Sequence, residues 1–180
     1  MDNVFGIFPW VLRAPVPELG KDKQRVSEIV MAEHAVWKPR PGQYSFKLAS
    51  TDDWFRALYD QFAEACTRTF EPMTLHAKSK RDVWAYVQRD GEGSPVWHEH
   101  LMTSTINGVY YLSAPEGCGE IWFRHRDTIH KHAPAEGYLY MFPRWLLHKP
   151  MPQATSEPRI SLNIEMVTVE CPITREGWRW

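Results

Sequence analysis

The clearest hydrophobic period lies in residues 51–70, TDDWFRALYDQFAEACTRTF, where Trp54, Leu58, Phe62, Ala65 and Cys66 recur at spacings of three and four. That spacing puts them on one stripe of a helix and predicts that this stripe covers a sheet. Thr51 reads as the N-cap, with Asp52 and Asp53 in the first turn, where the helix dipole favours anions. A weaker helical pattern runs through Val26, Ile29 and Val30 in residues 21–37. Residues 1–20 read as extended, with Phe5, Phe8, Trp10 and Leu12 placed to pack on a sheet, and KPRPGQY at 38–44 reads as a loop.

After residue 80 the pattern changes to short runs of period two. Asp82–Gln88, Gly108–Ala114, Glu120–His125, Tyr138–Phe142 and Arg159–Val169 read as strands, separated by the turn-rich stretches RDGEGSP, APEGCG and PAEG. Strands following helices predict an α+β layout, mainly β, with the helices flanking one face of an antiparallel sheet. A second sheet packed on the first makes a jelly-roll sandwich or barrel. At 180 residues a single domain over 1–180 is expected, with 1–80 as helical support and outer strands and 81–170 as the core.

Composition changes this picture little. The chain is 43% hydrophobic and 24% charged, and its net charge of −1 gives no global attraction to nucleic acid or membrane. Its 9 Trp suggest a thick aromatic core, an aromatic-lined pocket, or both, and its 14 Pro favour short strands over long helices. Cys66, Cys118 and Cys171 are odd in number and widely spaced, which fits free thiols in a reducing compartment. The N-terminal run carries no basic region and is broken by Pro9 and Pro15, so it is a poor signal peptide, and no segment has the roughly 18–20 apolar residues of a membrane span. A cytoplasmic protein is expected.

Three stretches carry candidate chemistry. In VWHEHLM, residues two apart on a strand share a face, so His98 and His100 can address one metal ion while Glu99 points away. About fifty residues later, GYLYMFPRWLLHKPMP places His148 after an apolar run, where it can supply a third ligand from a neighbouring strand. Imidazole suits iron, zinc, copper and nickel alike, so the donors do not fix the metal. In EPRISLNIE, Arg159, Ser161 and Asn163 share one strand face and Ile160, Leu162 and Ile164 the other. An inward Arg needs an anionic partner, and its planar fork, helped by the Ser161 hydroxyl, suits a carboxylate. The ordinary alternative is that Arg159 meets an internal Asp or Glu or lies exposed at the strand start.

The order of HxH, NGVYYLSAPEGCGEIWF, EGYLYMFPRWLLHKPMP and EPRISLNIE resembles the 2-oxoglutarate/iron(II) oxygenases. It looks most like a phage and bacterial branch related to the prolyl-hydroxylase-like enzymes, with a histidine pair, an SGVYYL-like strand, a "G…FP…L.H" segment and an "RISISFN"-like strand. The resemblance covers roughly Asp82 to Val167. It implies a double-stranded β-helix, a cupin-like jelly roll. It further implies a hydroxylase-type dioxygenase that binds Fe(II) and consumes 2-oxoglutarate and dioxygen as co-substrates. His98 and His148 would be metal ligands, and Arg159, with Ser161 assisting, would hold the distal carboxylate of 2-oxoglutarate.

One position departs from that pattern. Most of the superfamily has HxD or HxE, whereas here the second position is His100. Three neutral imidazoles leave an Fe(II) site one unit more positive. His100 is expected as the third ligand, with two alternatives: water at the third position with His100 behind it, or Glu120 reaching in from the next strand. Halogenases of the superfamily need a small residue there, so His100 argues against halogenation.

Other candidates are weaker. RHRDTIHKH at 124–132 reads as a solvated hairpin loop or a contact for a substrate anion, Asn107 as a turn residue, and Asn163 as a substrate contact. Trp97 and Trp145 could wall the pocket or pack in the core, and Arg89 and Arg144 compete with Arg159 as anchors. The other readings are a three-histidine, cupin-type metalloenzyme that does not use 2-oxoglutarate, and a non-catalytic binding module. A small molecule or peptide is the expected partner, with no nucleic acid or membrane. The prime substrate and the oligomeric state are not legible.

Overall fold

In the computed structural model the described residues are 11–69, 81–93, 96–101 and 103–168. Phe5, Phe8, Trp10, Val169 and Cys171 lie outside them. The elements, in order, are β1 (Leu12–Pro15), α1 (Pro17–Gly20), α2 (Lys23–Val36), β2 (Phe46–Lys47), α3 (Asp53–Thr69), β3 (Val83–Gln88), β4 (Ile106–Ser113), β5 (Ile121–His125), β6 (Thr128–His132), β7 (Tyr138–Pro143), β8 (Leu147–Pro150) and β9 (Arg159–Met166). Every strand pairing is antiparallel. One sheet has the order β1-β7-β4-β9-β3-β2 and the other β6-β5-β8.

The period-two pattern becomes two hydrophobic layers. Ile106, Tyr110 and Leu112 of β4, Leu139 and Met141 of β7, Ile160, Leu162, Ile164 and Met166 of β9, and Val83, Ala85 and Val87 of β3 face one side. There they meet Trp54, Leu58, Phe62, Ala65 and Cys66 of α3, the stripe expected to cover a sheet, together with Val26 and Val30 of α2. On the other side Val109, Tyr111, Tyr140 and Phe142 meet Ile121 and Phe123 of the smaller sheet. The α+β layout, mainly β with helices on one face and a second sheet on the other, is the expected one.

Several local expectations change. The cap of α3 is Asp52, not Thr51: its carboxylate accepts the Trp54 N–H at 2.9 Å and also pairs with Arg25. Residues 17–20, expected to be extended, form a helical turn opened by Pro17, whose fixed φ suits a first helical position. The 124–132 stretch is a true hairpin, β5 and β6 joined at Arg126 and Asp127, with Arg126 at φ 54. Asn107 is not in a turn but within β4. Cys66 and Cys118 are buried, and no disulfide forms among the described residues. No helix among the described residues is long and apolar enough to cross a membrane.

Gly108 marks a close approach of α3 to the sheet. A Cβ there would lie 2.9 Å from two ring carbons of Phe62, which is fully buried. Gly108→Ala is therefore expected to destabilise the fold by about 1–3 kcal/mol through overpacking. Combining it with Phe62→Leu should cost less than the two single changes summed. Urea unfolding of the three variants measures this, and strict additivity would count against the contact.

Candidate metal centre

The histidines converge through backbone pairing rather than through a full strand. His98 and His148 form an isolated antiparallel bridge, with the His98 N–H on the His148 carbonyl at 3.1 Å and the His148 N–H on the His98 carbonyl at 3.0 Å. Directly opposed residues of such a pair project to the same face. The His100 N–H binds the Arg144 carbonyl at 2.8 Å, and the Thr103 and Ser104 N–H groups both bind the His100 carbonyl. His100 is thus fixed at the start of a turn leading into β4. The imidazole centroids lie 4.2 Å (98–148), 5.5 Å (98–100) and 5.2 Å (100–148) apart, and one ring nitrogen from each lies within 4.8 Å of the others.

The second ring nitrogens fix the tautomers. His98 Nδ1 lies 3.1 Å from the Val96 carbonyl and His148 Nδ1 3.0 Å from the Leu146 carbonyl. A carbonyl only accepts, so both rings donate from Nδ1 and keep the Nε2 lone pair. His100 Nδ1 lies 2.8 Å from Glu165 Oε1, which leaves its Nε2 likewise open. His148 is 5% exposed, packed by Phe142 and Phe123. Burial pushes it well below the ordinary histidine range, with the His98 and His100 charges acting in the same direction. Desolvation also lowers His98, which is exposed along one edge but lies against His148. The two rings therefore stay neutral, as metal ligation requires.

A cavity of about 740 Å³ opens onto the three imidazoles. Ser161, Asn163 and Glu165 of β9 line it, with Trp84 and Tyr86 from the adjoining β3 and Tyr44 from the loop before β2. Asn107 and Tyr111 of β4 line it as well. Asn107 is buried: its side-chain carbonyl accepts the Ser104 hydroxyl at 2.7 Å, and its Nδ2 donor has no partner among the described residues.

Arg159 sits one residue pair beyond Ser161 on the same face of β9, behind the cavity lining and 1% exposed. Its Nε donates to Gln88 Oε1 at 2.9 Å and its Nη2 to the Met151 carbonyl at 2.8 Å, with further bonds to Gln88 and to the Gly119 carbonyl. These acceptors are all neutral. Among the described residues no Asp or Glu pairs with it, so the internal ion pair weighed from the sequence is not formed. Four bonds engage a group with five N–H donors.

The remaining candidates separate from the site. The Glu120 carboxylate accepts the Trp122 indole N–H at 2.7 Å and does not line the cavity. Trp97 lies between Arg124 and Lys149 in cation–π contacts, and Trp145 is buried in the layer between the sheets, so neither walls the cavity. Arg89 and Arg144 are exposed and outside the lining, as is the 124–132 hairpin. Glu165, Tyr111, Trp84 and Tyr86 were not singled out from the sequence. Glu165 follows from continuing the Arg159, Ser161, Asn163 alternation by one more step.

No protein-family profile matches the sequence, and no curated protein matches it significantly. Solved structures do match. A prolyl-4-hydroxylase from Pseudomonas putida aligns at TM-score 0.64 and 14% identity, over 87% of this chain and 91% of that one. The viral collagen prolyl hydroxylase of Paramecium Bursaria Chlorella virus-1, in its 2OG complex, aligns at TM-score 0.59 and 16% identity, over 87% and 95%. The prolyl hydroxylase of Trichoplax adhaerens, bound to a peptide of the hypoxia inducible factor oxygen degradation domain, aligns at TM-score 0.65 and 11% identity, over 88% and 84%. The chain has the double-stranded β-helix fold. The two sheets described above are its two walls, and residues of both line the cavity that reaches the three histidines.

Two outcomes are expected. His98→Ala and His148→Ala should each lose stoichiometric metal binding, measured by titration and elemental analysis of folded protein, and retention by either would remove that residue from the site. Separately, the metal-free protein should lose stability as pH falls below about 6.5. Histidines held below their unfolded value leave the unfolded chain binding more protons in that range, and this favours unfolding. A lower urea midpoint at pH 5.5 than at pH 7.5 should be seen, with a smaller difference in His148→Asn.

Proposed function

We propose that the protein is a non-haem iron(II), 2-oxoglutarate-dependent oxygenase that hydroxylates a small molecule or a peptide. The observation that carries this reading is the three imidazoles, each anchored through Nδ1 so that the Nε2 lone pairs are left for one ion. The fold adds support, since the similar structures are prolyl hydroxylases, one of them in complex with 2OG.

The residues present fit both groups. His98, His100 and His148 would hold the metal through Nε2. The co-substrate is a dicarboxylate, and just behind the cavity lining the polar face of β9 carries the buried Arg159 guanidinium, which has no carboxylate partner among the described residues, with the Ser161 hydroxyl one step nearer the metal end and in the lining. In this assignment Arg159 holds the distal carboxylate and Ser161 donates to it. The orphan Nδ2 of Asn107 is a further donor into the same space. Burial of Arg159 matters here, because a charge-assisted hydrogen bond from its remaining Nη1 donor is worth more where water is excluded. When bound, the metal supplies the dioxygen chemistry, with 2-oxoglutarate as the co-reductant.

The chain itself orients and encloses. Trp84, Tyr86 and Tyr44 give the cavity an aromatic wall, and no Lys or Arg is among its described lining residues. Such a wall suits an uncharged or partly apolar substrate group rather than an anionic one.

Arg159→Leu should raise the 2-oxoglutarate requirement by roughly 30- to several-thousand-fold, the equivalent of about 2–5 kcal/mol for a desolvated charge pair. Metal binding should remain nearly intact. Arg159→Lys should recover only part, because an ammonium lacks the planar fork and leaves some of Gln88, Gly119 and Met151 unserved. The check is calorimetric titration of 2-oxoglutarate into anaerobic, iron-loaded protein, with Arg89→Leu and Arg144→Leu as controls. Wild-type affinity in Arg159→Leu would place the co-substrate elsewhere. No 2-oxoglutarate binding at all by the iron-loaded wild type would favour a three-histidine metalloenzyme that does not use it.

A further inference from the structure

We propose that Glu165 is a positioning residue for the metal centre: its carboxylate fixes the His100 tautomer and supplies the negative charge that the three-histidine ligand set lacks. This inference rests on the three-histidine reading of the site given above.

The three rings are anchored unequally. His98 and His148 donate to main-chain carbonyls, whereas His100 donates to a carboxylate oxygen, 2.8 Å from Nδ1. Glu165 Oε1 also accepts the Thr103 hydroxyl at 3.1 Å. Thr103 lies in the turn that His100 begins, so one short segment supplies both donors to the same oxygen. Glu165 itself is set by β9, where it pairs with Asn107 of β4 and shares the cavity face with Ser161 and Asn163.

The charge balance makes that carboxylate consequential. A divalent ion on three neutral imidazoles keeps its full charge of about +2. Among the described residues that line the cavity, Glu165 is the only Asp or Glu. The pair is also shielded, with side chains 25% (His100) and 31% (Glu165) exposed, so water screens it only in part. A carboxylate hydrogen-bonded behind a ligating imidazole raises the basicity of the ring and holds its orientation. Here the negative charge acts through the ring instead of binding the ion directly. His100 and Glu165 together then carry the same net charge as one carboxylate ligand.

A difference between two backgrounds separates this role from simple packing. The probe is cobalt(II), titrated anaerobically into full-length protein and followed by its visible absorption. In the wild-type background, Glu165→Gln should weaken cobalt binding by about 10- to 100-fold. Gln matches Glu in shape and can still accept from Nδ1–H, so the loss reads charge. In the His100→Asp background the ligand is itself a carboxylate, and no imidazole remains for Glu165 to orient or polarise. There Glu165→Gln should weaken cobalt binding clearly less than in the wild-type background. An equal loss in both backgrounds, or no loss in either, overturns the proposal.

A measurement on metal-free protein gives an independent reading. Nitrogen-15 histidine spectra of the wild type should show His100 protonated at Nδ1 and bare at Nε2. The opposite tautomer in the folded wild type would also overturn the proposal. Failure of the site as a whole looks different, because in that case the wild type itself would not bind cobalt.

Discussion

Two backbone hydrogen bonds between His98 and His148 hold the candidate centre together. The residues are fifty apart in sequence, and the segment carrying His98 and His100 lies outside the named strands. That single bridge sets the His98 and His148 rings 4.2 Å apart, and the bond from the His100 N–H to the Arg144 carbonyl brings in the third. Main-chain carbonyls then orient two of the rings. The centre therefore depends more on backbone geometry than on side-chain packing. In the proposed reading this suits ligands that must hold position before an ion arrives, since each ring is already committed to one tautomer.

The pleat of the larger sheet does the rest. Successive residues of a strand face opposite ways, so β9 gives Ile160, Leu162, Ile164 and Met166 to the helix-covered core and Arg159, Ser161, Asn163 and Glu165 to the opposite side. A one-residue slip would exchange the two sets, placing four polar side chains against α3. The burial that binds α3 to the sheet therefore also fixes which side chains reach the cavity. Gly108 tightens this link, since Phe62 packs where a side chain would otherwise stand.

Most of this was legible where the chain alternates cleanly. The α3 stripe, the five strands read after residue 80 and the two faces of β9 follow from spacing alone, whereas grouping His98, His100 and His148 as one candidate site drew on the family resemblance as well. What was not legible depended on pairing between distant segments. β2 is two residues long and is a strand only because Phe46 and Lys47 pair with β3. β6 reads as a solvated loop because four of its five residues are polar and it lies at the edge of the smaller sheet. Thr51 was misread as the cap because Asp52 is equally suited, and Arg25, far off in sequence, favours Asp52 by pairing with it. Glu120 looked near the metal in strand order, but the Trp122 indole beside it takes its carboxylate. Glu165 was accessible to the same alternation that identified Arg159. Its partner, His100, lies sixty-five residues away and cannot be inferred from either strand alone.

The polar face of β9 begins with a cation and ends with an anion. Arg159 and Glu165 are six residues apart on one face, roughly 20 Å of extended chain. Arg159 is buried among neutral acceptors, with no carboxylate paired to it among the described residues, whereas Glu165 is held by His100 and Thr103. Burial alone would raise the Glu165 carboxyl, but its hydrogen bonds to His100 and Thr103 hold it below the ordinary value. It therefore stays ionised beside the histidines. In the proposed reading the two ends have complementary tasks: Glu165 offsets the charge of a metal cation, and Arg159 offsets the far carboxylate of the co-substrate. In that reading, a dianion brought close to Glu165 is repelled unless a metal is already bound beside it, so on electrostatic grounds metal would enter before co-substrate.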